Sequence, residues 1–79
     1  MPAEIIEVVA YSGYRGEEYP RLFIMQGKRI EVLAILSMWT DENVKAKKRK
    51  RFFQVRGSNG YEYKMYYDEE MKQWFLIRE

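Results

Sequence analysis

Six of the chain's fourteen basic residues, Lys45, Lys47, Lys48, Arg49, Lys50 and Arg51, crowd into seven positions broken only by Ala46. Charge at that density is the most chemically pointed feature of the sequence. Ammonium and guanidinium groups in a run are what meet the phosphates of a nucleic acid. The other eight bases stand against twelve acids, so the remaining chain is mildly acidic and the block is a local excess. It offers a polyanion one segment rather than a whole face. The plainer alternative is a solvated loop that keeps a small apolar protein in solution.

Aromatic residues extend the binding argument. Tyr14, Tyr19, Tyr61, Tyr66, Phe52 and Phe75 all fall outside the alternation expected for the core. Rings beside lysines on a small β-barrel suit single-strand binding, because bases stack on the rings while the cations follow the phosphates. The alternative for Tyr66 and Phe75 is cross-strand packing on a second surface. The candidate nucleic-acid contacts are therefore Lys45, Lys47, Lys48, Arg49, Lys50 and Arg51, with Tyr14, Tyr61 and Tyr66. No stretch matches the aromatic strands of an RNA-recognition motif or a helix-turn-helix.

Catalytic chemistry finds little to work with. The chain has no histidine, which removes the commonest general base and the Ser–His and Cys–His arrangements. It has no cysteine, which excludes disulfides, thiolate metal sites and iron–sulfur clusters. Acidic pairs occur at Glu17/Glu18, Asp41/Glu42 and Asp68-Glu69-Glu70, all in expected turns where nothing would desolvate one partner. Ser12, Ser37 and Ser58 lack an activating base. Asp68-Glu69-Glu70 lacks the spacing of a calcium loop. Gly57-Ser58-Asn59-Gly60 has no helix behind it, so it reads as a hairpin rather than a phosphate cradle. The expectation is a non-enzyme with no catalytic residues, no metal and no cofactor.

The elements that must carry these residues are strands. Seventy-nine residues, 47% of them hydrophobic, suffice for one domain over 1–79. Period-two segments separated by turn residues predict six strands. The first is Glu4–Tyr11, followed by a loop at Ser12 to Gly16. Pro20 opens the second, which Leu22–Met25 carries into a tight turn at Gln26-Gly27. That turn sets Met25 opposite Lys28 and Phe23 opposite Ile30.

The third segment, Arg29 to Trp39, has unbroken apolar even positions: Ile30, Val32, Ala34, Leu36 and Met38. Its odd positions turn apolar at Leu33 and Ile35, which predicts a strand buried on both faces at its far end. A buried helix over Glu31–Trp39 is the competing reading. Thr40 to Asn43 could cap a helical turn, but six like charges beyond it favour a basic loop over 41–51.

The last third reads as a three-stranded meander: Phe52–Arg56, Tyr61–Tyr67 and Gln73–Ile77. A Ser58-Asn59-Gly60 loop pairs Arg56 with Glu62, Val55 with Tyr63 and Phe53 with Met65. A four-residue loop, Glu69 to Lys72, sets Tyr67 opposite Trp74 and Met65 opposite Leu76. Both registers place Phe53, Val55, Tyr63, Met65, Tyr67, Trp74 and Leu76 on one face.

The order Pro20, Phe23, Met25, Gly27, then Ile30, Val32 and Trp39, then Phe53, Val55, Tyr61, Tyr63, Tyr67-Asp68 and Trp74 resembles a bacterial family of small cytoplasmic proteins. That family is known as a domain of unknown function. A similar segment occurs near the C-terminus of some inactive Y-family DNA polymerase homologues. The resemblance spans Pro20 to Ile77 and departs at Met25, where tryptophan is expected, and at Lys72, where a turn glycine is commoner. It implies a lean toward DNA repair and supplies no catalytic residues.

The expected fold is all-β: five or six antiparallel strands in a small, half-open, SH3-like barrel or curled meander. The expected function is a non-catalytic binding module that meets nucleic-acid phosphates through its basic loop. The alternative is a protein-interaction or homodimerisation domain with no nucleic-acid role. An open edge along Glu4–Val9 would favour a homodimer. No apolar run reaches the roughly 18–20 residues of a membrane span, and no leader pattern opens the chain, so the expected location is cytoplasmic, away from membranes.

Overall fold

The computed structural model describes residues 3–12, 18–43, 45 and 48–77. Six antiparallel strands follow one another in chain order: β1 (Ala3–Ser12), β2 (Glu18–Met25), β3 (Lys28–Asn43), β4 (Lys48–Gly57), β5 (Glu62–Asp68) and β6 (Gln73–Ile77). They form a closed barrel in which β1 also pairs with β6. The fold is all-β and of SH3-like size; it is closed rather than half-open.

Closure depends on two strands that change partners midway. In β1, Ala3–Ile6 pair with β6, while Glu7–Ser12 pair with β2 and carry a bulge between Val9 and Ala10. In β3, Lys28–Glu31 pair with β2, and Val32–Asn43 pair with β4. A twisted sheet with two such corners folds back on itself and joins its ends. Within the stretch expected as an open edge, Glu4–Ile6 thus pair with β6 and Glu7–Val9 with β2.

Tight turns hold the register. Gln26 and Gly27 both take positive φ, 52° and 77°, the backbone that a two-residue hairpin of matching twist requires. Met25 faces Lys28 and Phe23 faces Ile30, as the turn predicts. The meander follows the predicted registers as well, with Phe53 opposite Met65, Val55 opposite Tyr63, Met65 opposite Leu76 and Tyr67 opposite Trp74.

The core gathers Ile6, Phe23, Ile30, Phe53, Val55, Met65, Trp74 and Leu76, with Tyr19, Tyr63 and Tyr67 packed against it. Phe53 meets Trp74 at 5.5 Å between centroids and Tyr19 at 6.3 Å, and Phe23 meets Tyr63 edge-on at 5.0 Å. No polar or charged residue is buried among those described. Burial is therefore purely apolar.

In the middle of the chain the expected strand is present, and two further expectations are corrected. Glu31–Trp39 is strand, so the helical alternative falls away, and Thr40–Asn43 continue β3 without a helical turn. Of the basic loop expected over 41–51, Asp41–Asn43 instead end β3 and Lys48–Arg51 open β4, Lys45 stands in a turn, and residues 44, 46 and 47 lie outside the described residues. Nor is the far half of β3 buried on both faces. Bulges at Val32/Ala34 and Ile35/Ser37 each insert one residue, Leu33 and Leu36, and each insertion reverses which parity faces the core. Ala34 thus lies opposite Arg56 on the outer face, Ile35 opposite Val55 on the inner, and Trp39 opposite Phe52 on the outer.

Candidate functional site

The outer face of the sheet bears a row of rings in register across four strands. Trp39 on β3 pairs with Phe52 on β4, Phe52 with Tyr66 on β5, and Tyr66 with Phe75 on β6. Ile5 of β1 continues the row opposite Phe75. Centroids stand 5.4, 5.2 and 4.9 Å apart, close to the strand spacing, so each ring rises from its strand and leans on the next. Trp39 and Phe52 are parallel within 3°, Tyr66 and Phe75 within 18°.

Those contacts consume most of the ring faces. Tyr66 and Phe75 are cross-strand neighbours, as the packing alternative proposed. Trp39 is different: it ends the row on β3 and remains 45% exposed. Among the described residues, no strand pairs with Val32–Asn43 on the side away from β4. Along that edge Leu33, Ile35, Leu36 and Met38 are also exposed. Met38 shows how local the change is. It faces the same side as its partner Phe53, yet is 56% exposed where Phe53 is 1%.

The basic block occupies the far end of the same two strands, and alternation divides it. Lys48 and Lys50 share the outer face with Phe52, while Arg49 and Arg51 share the inner face with Phe53. Acids meet them across the ladder. Glu42 approaches Arg49 at 3.3 Å, and Glu69 approaches the same Nε at 3.3 Å from the other side. That Glu69 oxygen is covered from solvent and outside hydrogen-bond geometry, so Arg49 meets it as an ion pair only. Lys50 lies between Asp41 and Asp68 in register, its Nζ 5.2 Å from the Tyr66 ring centre. The Arg51 guanidinium sits 5.5 Å from Phe53 and 5.8 Å from Tyr19. Lys48–Arg51 are thus divided between two strand faces, with acids beside Arg49 and Lys50.

Of the sequence candidates, the structure brings Lys50 and Tyr66 together, with Lys48 on the same face. Arg49 and Arg51 turn to the other face, and Lys45 is exposed in the turn between β3 and β4. Tyr14 and Lys47 lie outside the described residues. Tyr61 is separate. It stands beside the β4–β5 turn, five residues along the chain from Tyr66 and about 17 Å away at strand rise. There it lines an open hollow of about 560 Å³ with Met25, Arg29, Ser58 and Tyr63.

The two polar turns are internally satisfied. Gly57, Ser58 and Gly60 donate their N–H groups to the carbonyls of Tyr61, Glu31 and Gly57, so this hairpin has spent the amides a phosphate cradle would need. Asp68 Oδ1 accepts from the N–H groups of Glu70 and Met71, which ties that acidic run into its turn. Among the described residues no three acidic groups gather as metal ligands, and no helix is long and apolar enough to cross a membrane.

Trp39 and Ile5 are the surface residues that sequence reasoning missed, while Phe52 and Phe75 entered it as aromatics outside the core but not as candidate contacts. The meander register already carried the Phe52–Tyr66–Phe75 part. Trp39 needed the β3–β4 register, which two bulges conceal. No family model matches the chain, and no curated protein or solved structure matches it.

Proposed function

We propose that this chain is a non-catalytic interaction module whose working surface is the free edge of β3, from Leu33 to Trp39. The observation that supports this reading is five exposed apolar side chains along an edge with no pairing strand among the described residues. Such an edge offers hydrogen-bonding groups and apolar side chains together, which is what strand addition uses. Val32 to Thr40 contains no charge and no proline to repel an incoming strand.

The test is a titration with synthetic strand-forming apolar peptides, followed by fluorine NMR of the fluorotryptophan-labelled protein. The Trp39 resonance should move while that of buried Trp74 stays. A silent Trp39 against every peptide overturns the reading.

A second reading has one observation in its favour: Lys50 over Tyr66, with Lys48 on the same face. It makes the outer face a single-strand or duplex contact and retains the DNA-repair association that the family resemblance implies. Two outward lysines predict a slope of log affinity against log salt of about −2 for duplex DNA. Lys48→Gln with Lys50→Gln should abolish that slope and leave Tm nearly unchanged, because exposed charges contribute little to stability. Anisotropy of labelled oligonucleotides at low and physiological salt decides it. No binding at low salt removes the nucleic-acid role.

A further inference from the structure

Resting on the interaction reading, we propose that the β3 edge takes the C-terminal end of an extended apolar peptide, its terminal carboxylate held by Arg21 and Arg29. The free edge has a fixed limit on one side. β2 occupies β3 from Lys28 to Glu31, and Leu22 opposite Glu31 is the last rung of that ladder. Beyond the rung the two strands part, β3 continuing with β4 and β2 with β1. A strand laid along Leu33–Trp39 therefore meets a fork at Val32 and goes no further along β3.

The fork holds a hollow of about 430 Å³ lined by Val9, Arg21, Leu22, Arg29, Glu31 and Val32. Arg21 owes its place there to a bulge. The register passes from Val9 opposite Leu22 to Ala10 opposite Pro20, which leaves Arg21 as the extra residue of β2. Bulges re-aim a side chain in this way beside binding sites. Arg21 and Arg29 are exposed, and no described carboxylate forms an ion pair with either. Glu31 also lines the hollow, so its walls carry two guanidiniums against one carboxylate. Glu7 stands one rung away, across Ile24 from Arg29, and is not part of the lining. A guanidinium pairs with a carboxylate through two parallel hydrogen bonds, which makes a carboxyl terminus the end that fits. That end reaches the fork only when the peptide runs antiparallel to β3. A parallel peptide would bring its ammonium group to the same two arginines. Val9, Leu22 and Val32 supply apolar walls for the last side chain.

Paired peptides test this on the full chain: acetylated hexapeptides alternating valine and threonine, ending in a free acid or an amide, titrated against the Trp39 fluorine resonance. The acid should bind about tenfold more tightly than the amide, and its advantage should shrink as salt rises. Arg21→Gln should bring the two forms close to equal affinity and leave binding of the amide unchanged. Arg29→Gln should act in the same direction, and Glu31→Gln should widen the advantage. Circular dichroism should stay unchanged in all three, because the residues are exposed. Equal binding of acid and amide by the native chain overturns the carboxylate proposal and leaves the interaction reading standing. An advantage that survives both arginine substitutions does the same. Tighter binding of a peptide with a free amino group and an amidated end reverses the orientation and also overturns the proposal. If no peptide moves the Trp39 resonance, the interaction reading and this proposal fall together.

Discussion

The β4–β6 meander and the outer half of β3 share one sheet, similar strand length and similar apolar content, yet one fills the core and the other lines the surface. In the meander every residue alternates without interruption, so Phe53, Val55, Met65, Trp74 and Leu76 arrive on one face and are buried together. In the outer half of β3 two extra residues break the alternation, and among the described residues no second strand pairs with its other edge. Hydrophobicity alone therefore does not decide burial. A side chain is buried when its register delivers it to a covered position, and Met38 beside Phe53 shows the two outcomes 56% and 1% exposed on one face.

Truncating one tryptophan in each region should break the comparison most visibly. Trp74→Ala removes a ring in contact with Phe53 and Tyr67 and should cost about 3–5 kcal/mol in denaturant unfolding. For so small a domain that is a large share of the total. A cost below about 1 kcal/mol would mean that the meander face is not the core.

Gly57→Ala probes the junction between the regions, where β4 runs into its turn beside Val32. An added Cβ would stand 2.7 Å from Ile30 Cγ2, 2.9 Å from Asn59 Oδ1 and 3.1 Å from Tyr63 Cε2. Ile30 is held in the core, so the clash should cost about 1–3 kcal/mol and lower Tm. An unchanged Tm would show that the turn yields freely.

Trp39→Ala, the counterpart of Trp74→Ala, should cost only about 1 kcal/mol, the worth of one stacked contact with Phe52. A loss as large as that of Trp74→Ala would place β3's outer half in the core and remove it as a surface for partners.

Lys72→Gly sharpens the comparison by improving the regular region. Lys72 holds φ at 56°, a left-handed backbone that a side chain makes costly and glycine adopts freely. The variant should gain about 0.5–1 kcal/mol, read as a higher denaturation midpoint. A loss would mean that the Lys72 side chain supplies more than the turn costs.

Local rules account for what the sequence by itself determined. Gln26-Gly27 and Ser58 to Gly60 are turns of defined length, and a turn of defined length sets the pairing of the strands it joins. Six strands, the registers of β2–β3 and β4–β6, and seven of the inward-facing residues were therefore legible from the order of residues. Lys72 was marked only through the family resemblance, as standing where a turn glycine is commoner. The stacked Tyr66–Phe75 pair was legible too, as a consequence of register.

Tertiary structure decided the rest. Barrel closure depends on where β1 and β3 exchange partners, and those partners lie far away in the chain. The two bulges in β3 are set by its fit to β4, since nothing in Leu33 or Leu36 marks an inserted residue. The basic block read as a free loop because its counter-charges, Asp41, Glu42, Asp68 and Glu69, come from other strands or turns. Period and turn chemistry are local and survive in one dimension. Bulges, closure and charge compensation are agreements between distant segments, and they exist only once those segments meet.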